Sequence, residues 1–181
     1  MHNKTFFFLS RFSNEYLKKK INQESNLSLS NKVLGICSLV SISGYEINII
    51  VTNTGNLRNS KMLHLSEGKV KVISPRSFNF FNIRFINYII NIFSTAKVIS
   101  KLKSKNTYFI IWDYLPDSVL PIIFSRIPRK NIIVDLEEKI QNDPEASWLF
   151  KLFEFFFENK ISGNYFLSNK YLVKKTDRKV V

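Results

Sequence analysis

SLSNKVLGICSLVSISGYEINIIVT, residues 28–52, decides how the rest of the chain is read. Val33, Ile36, Cys37 and Val40 recur at three- and four-residue steps, the spacing of one helical face. Ser28 or Ser30 is available as the N-cap, and Gly44 suits the C-terminal stop. Directly after that glycine, YEINIIVT is a β-branched run of strand length. Ahead of the helix, KTFFFL at 4–9 predicts a short strand. SRFSNEYLKKKINQESN at 10–26 has no regular apolar period and reads as a long loop. Strand, loop, helix, glycine, strand is a βαβ unit.

The pattern then repeats. GKVKVISP (68–75) predicts a strand, and residues 82–103 a long amphipathic helix. Its predicted core stripe is Phe85, Ile89, Phe93, Ala96, Ile99 and Leu102. TYFIIWDYLP (107–116) predicts a strand, DSVLPIIFSRI (117–127) a short helix and NIIVDLEE (131–138) the next strand. ASWLFKLFEFFFENKIS (146–162) is helical, with Trp148, Leu152, Phe155, Phe156 and Asn159 roughly in step. Spacing favours Phe155 and Phe156 as core and leaves Phe153 or Phe157 as the exposed members. GNYFLSN predicts a strand, KYLVKKT a brief helix, and RKVV the start of another strand.

Apolar strands alternating with helices predict an α/β fold: a Rossmann-like, doubly wound, mainly parallel sheet with helices on both faces. Its 181 residues suit a single domain, 1–181. In such sheets ligands lie outside the carboxyl ends of the strands. The residues to inspect there are Ser10, Arg11, Thr52, Asn53, Asp113, Tyr114, Asp135 to Glu138, Ser168 and Asn169.

Composition narrows the chemistry. The single cysteine, Cys37, excludes an internal disulfide and sits in an apolar helical pattern, so it reads as a buried thiol. With His2 and His64 the only histidines, a conventional zinc site is disfavoured. Five glycines form neither G-x-G-x-x-G nor a Walker loop, and no G-x-S-x-G elbow is present. The run Phe6–Leu9 is too short for a signal-peptide core. FNIRFINYIINIFSTAKVIS is broken by Arg84, Asn87, Asn91 and Lys97, which disfavours a membrane span. The expected location is the cytoplasm, with contact to a membrane surface open. A net charge of +13 points to an anionic partner without choosing phosphate, nucleotide or lipid headgroup. No nucleic-acid-binding signature accompanies the scattered cations, which disfavours nucleic acid.

The block NIIVDLEEKIQNDP (131–144) carries the densest carboxylates. Asp113, Asp135, Glu137 and Glu138 could supply a general base across neighbouring strand ends. The blander reading, favoured for any single residue, is a helix cap with the others solvated. Arg11 could bind an anion, and Ser168 and Asn169 could hold a ligand or cap a helix.

The order of segments resembles the N-terminal, acceptor-side domain of GT-B fold glycosyltransferases, especially the family 4-like group. KVLGICSLVSISGYEINIIVT resembles their early helix and second strand. YFIIWDYLPDSVLPIIFSRIPRKNIIVDLEEKI is similar to the block in which a strand runs into D-x-E-(D/E). NYFLSNKYLVKKTDRKVV is similar to the strand that reaches a serine before a short helix. The resemblance implies transfer of a sugar from a nucleotide-sugar donor to a glycan or lipid-linked acceptor in cell-surface polysaccharide synthesis. It implies no cofactor and no metal. Asp135, Glu137 and Glu138 match the acidic block as catalytic candidates. Ser10, Arg11, Asp113, Tyr114, Ser168 and Asn169 are the acceptor-side candidates. Two departures stand out. The loop at 10–26 has no glycine where many members carry a pair, and Val181 falls about where the donor-binding domain should begin. The expectation is therefore a half that needs a donor domain, in a partner chain if not its own. The rival reading is a non-catalytic basic module for anionic membrane or nucleic acid.

Overall fold

A computed structural model describes residues 4–11, 27–52, 61–65, 68–75, 84–112, 115–136, 147–161 and 164–167. Seven strands lie in these residues: β1 (Thr5–Ser10), β2 (Glu46–Val51), β3 (Lys61–Leu65), β4 (Gly68–Ile73), β5 (Thr107–Trp112), β6 (Ile132–Leu136) and β7 (Asn164–Leu167). Four α-helices join them: α1 (Leu27–Ile42), α2 (Arg84–Leu102), α3 (Pro116–Phe124) and α4 (Trp148–Ile161). The strands form one sheet in the order β3-β4-β2-β1-β5-β6-β7. Every pairing is parallel except β3 with β4. Without the β3 hairpin arm, the parallel strands run third-second-first-fourth-fifth-sixth, the Rossmann order, reversing between β1 and β5.

That reversal sets the layers. Right-handed crossovers that travel in opposite directions along a sheet place their helices on opposite faces. Accordingly Val33 and Cys37 of α1 pack with Phe8, Ile49, Val70 and Val72 on one face. Ile99 of α2, Val119 and Ile122 of α3, and Phe153 and Phe157 of α4 pack with Leu9, Phe109, Ile111 and Val134 on the other. Such side chains are worth about 1.5–3 kcal/mol each when fully buried, and β1 and β5 supply both layers because both of their faces are covered. Ser125, buried just after α3, fastens the second layer, its hydroxyl 2.8 Å from the Ala96 carbonyl and 2.7 Å from that of Pro121.

The α1 stripe packs as its spacing predicts. Gly44 adopts φ +80°, while its N–H reaches the Ser41 carbonyl and the Tyr45 N–H that of Val40. This pair of bonds is the Schellman stop, which needs a residue that tolerates positive φ. The helix begins at Leu27, so Ser28 and Ser30 lie inside its first turn instead of capping it.

Three further expectations are corrected. The strand β3 is absent from the sequence reading; it is a five-residue edge strand turned back on β4. The stripe of α2 holds only in its C-terminal half: Ile92, Ala96 and Ile99 are buried, but Phe85, Ile89 and Phe93 are exposed. Nineteen residues of helix span about 28 Å, whereas a six-residue strand spans about 20 Å. The helix therefore outruns the strand it packs on, so a periodic stripe continues past the surface available to bury it. On α4 the predicted face is inverted. Phe155 (58% exposed) and Phe156 (52%) face outward, while Phe153 and Phe157 join the core. The helix is apolar on all sides, so periodicity alone selects no face. Glu154, which sequence logic would send outward, is wholly buried.

Candidate functional site

The strand order reverses between β1 and β5, and at such a reversal the carboxyl ends of the strands border the crevice in which this kind of sheet binds ligands; two polar clusters flank that place. The first lies on the α3 side. Arg11, just past β1, holds Asp117 in the first turn of α3 with two nitrogens, Nε at 2.8 Å and Nη2 at 3.2 Å. Thr52, just past β2, donates its hydroxyl to Asp117 at 3.2 Å. Asp117 is buried, whereas Arg11 keeps part of its surface in water. The cluster thus ties the ends of two strands to the start of a helix.

Tyr88, in the overhanging part of α2, feels the charges of both members of this pair. Burial, helped by the Asp117 charge and opposed by Arg11, pushes its phenol up to about 12. Burial would lower the Arg11 pKa, but the hydrogen bond and charge of Asp117 carry it above its usual value.

The second cluster lies on the α1 side. Phe8, Ile110 and Ile133 belong to the core layer beneath α1. Two residues further along each strand stand Ser10, Trp112 and Asp135, which strand alternation returns to that same face. They are level: Leu9 pairs with Ile111, one residue before Ser10 and Trp112, and Trp112 pairs with Asp135. Asp135 has 0% exposure, and Lys32 reaches it from α1, Nζ lying 3.0 Å from Oδ1 and 2.9 Å from Oδ2. The Ser10 hydroxyl and the Trp112 indole N–H are buried with no hydrogen-bond partner among the described residues. A buried donor left without an acceptor costs about 1–3 kcal/mol. Two such donors lie level on adjacent strands at the topological switch point, the place where sheets of this kind bind ligands.

The structure thus places Ser10 and Asp135 in one cluster and Arg11 in the other. Asp113, Tyr114, Glu137, Glu138, Ser168 and Asn169 lie outside the described residues, as does Asn53. Sequence reasoning missed Asp117, Lys32 and Trp112 as site residues. Asp117 reads as the start of a helix, Lys32 as a helix-surface lysine and Trp112 as strand core; no local pattern distinguishes them. Among the described residues, no group of three or more His, Cys, Asp or Glu is placed to hold a metal ion. No described helix is long and apolar enough to cross a membrane. Protein-family models give no match to the chain, and curated proteins yield none either.

Cys37 is buried, as its pattern predicts, and burial pushes its thiol up to about 12. For Cys37 and Tyr88 alike the folded value lies above the ordinary one, 9.0 and 10.0 respectively. Between those ordinary values and about 12 the unfolded chain has released a proton that the native state retains. Stability is then complete below pH 9 and falls as pH rises toward 12. Urea unfolding at about pH 7 and about pH 10.5 should therefore show a lower midpoint at the higher pH, and Cys37→Ala should reduce that drop. A thiol reagent at about pH 8 should label Cys37 only as the chain unfolds. Rapid labelling of the native protein would show that the thiol is not sequestered.

Proposed function

We propose that this domain is the acceptor-binding half of a cytoplasmic, nucleotide-sugar-dependent glycosyltransferase. The crevice at the β1/β5 switch point takes a hydroxyl-rich, uncharged portion of a glycan or lipid-linked acceptor. The observation that carries the reading is the pairing of the described charges at that crevice. Its two described cations, Arg11 and Lys32, each face a buried carboxylate, so neither is left over to neutralise a diphosphate. What the crevice offers instead are the Ser10 hydroxyl and the Trp112 indole N–H. Neutral donors beside a buried carboxylate suit sugar hydroxyls, which both donate and accept, better than they suit a phosphate. Within this reading Lys32 fixes Asp135 at the crevice floor, and the carboxylate positions the acceptor. The resemblance to the GT-B acceptor domain supplies the reaction class, with the donor sugar bound by other groups.

The test is a binding screen of the full chain against uncharged oligosaccharides and nucleotide diphosphate sugars, followed by titration of the best ligand. Ser10→Ala and Trp112→Phe each remove one donor. Each should weaken saccharide binding about tenfold, the worth of one neutral hydrogen bond, and Ser10→Ala should not lower the melting temperature, since it removes a buried donor that has no partner among the described residues. Binding only to the nucleotide diphosphates, or saccharide binding indifferent to both substitutions, would refute the acceptor assignment.

A further inference from the structure

Among the described residues the surface charge is one-sided in a way that total charge does not reveal. Of the acids whose side chains are described, Asp117, Asp135 and Glu154 are buried, and only Glu46 is exposed. Glu46 sits at the amino end of β2, bonded to Thr5 and Asn48. The outer face of α2 therefore carries no described acid. It carries Lys97 and Lys101 one turn apart, on the wall of an open groove of about 670 Å³ whose other side is Ser74 and Pro75. Preceding them on the same helix, Phe85 (71% exposed), Ile86, Ile89 and Phe93 (56%) stand in solvent. Phe93 continues the apolar surface onto α3 by stacking on exposed Phe124, ring centroids 5.1 Å apart.

We infer that this face of α2, with the end of α3, docks on an anionic lipid bilayer. Lys97 and Lys101 meet headgroup phosphates, and Phe85, Phe93 and Phe124 enter the interfacial zone. Exposed aromatic and aliphatic side chains beside lysines that no described acid faces match the bilayer interface, which offers apolar depth beside negative charge. Nucleic acid would use the lysines and could stack on the phenylalanines. It has no use for Ile86 and Ile89, which favour hydrocarbon. The site lies on the outside of the second helical layer, apart from the crevice, and does not depend on the acceptor reading.

The experiment is co-sedimentation of the full chain with phosphatidylcholine vesicles, with and without phosphatidylglycerol. Binding is expected only with the anionic lipid, and weaker in high salt. Lys97→Glu/Lys101→Glu should lower the partition coefficient by about thirtyfold or more, since each lysine near an anionic surface contributes about fivefold. The control Lys4→Glu/Arg129→Glu makes the same change in net charge at exposed residues that precede β1 and β6 and belong to neither α2 nor α3, and should cost far less. Phe93→Trp, compared with the unmodified chain, should add a blue-shifted emission component on anionic vesicles. Equal losses from the two charge-reversed pairs, no added emission component from the Phe93→Trp variant, or no vesicle binding would each overturn the proposal. Capture of single-stranded nucleic acid through Lys97 and Lys101, with vesicles ignored, would make the partner a nucleic acid and overturn it as well.

Discussion

Lys32→Met should lower the unfolding free energy by about 3 kcal/mol, because it strips a wholly buried carboxylate of its lysine. For a chain of this size that corresponds to a fall in melting temperature of about 6–12 °C. The long apolar side chain of methionine preserves most of the lysine's packing on α1, so the loss reports charge more than volume. Asp135→Asn alone should cost less, since Lys32 is partly exposed and can turn its ammonium group toward water. The double variant should be more stable than the sum of the single losses implies, with a coupling of about 2 kcal/mol in the cycle. A Lys32→Met protein melting within about 2 °C of the original, by contrast, would make the pair no stronger than an exposed one.

The same pair shows how far the sequence could be read. The strands were legible because Phe6 to Leu9, Ile49 to Val51, Phe109 to Ile111 and Ile132 to Val134 are continuous apolar runs, as strands covered on both faces must be. The α1 stripe and the Gly44 stop were legible because both are local, settled within a few turns of helix. The face of α4 was not, because a helix with apolar residues all round takes its orientation from the surface it meets. The β3 strand was not, because five residues at a sheet edge carry little periodic signal. The site was legible only in part. Strand-end logic located Ser10, Arg11 and Asp135, but the ion pairs there join residues distant in the chain: 106 apart from Arg11 to Asp117 and 103 from Lys32 to Asp135. Only the strand order brings such pairs together, and strand order is a property of the whole sheet.

That dependence makes Arg11 the second position with a large expected effect. Arg11→Ala leaves Asp117 buried beneath the end of β1 without its guanidinium. The expected cost is about 2 kcal/mol, below the fully buried limit because water reaches and screens the Arg11 side. Arg11→Lys should recover no more than about half, since a lysine is a single point charge and cannot keep the two-nitrogen contact. Thr52→Val, removing the other residue on the same carboxylate, should cost about 1.5 kcal/mol. The Arg11 and Thr52 losses are expected to be non-additive, because both residues act on one carboxylate. Denaturant unfolding of the three variants, and of Thr52→Val combined with each Arg11 change, measures this directly. If Arg11→Ala and Arg11→Lys are both within about 0.5 kcal/mol of the original, the ion pair is incidental and the crevice wall is held by packing alone. If the predicted order holds, then β1, β2 and α3 are locked together at the switch point by charge. A wall locked in this way gives the Ser10 and Trp112 donors across the crevice a fixed place from which to meet a ligand.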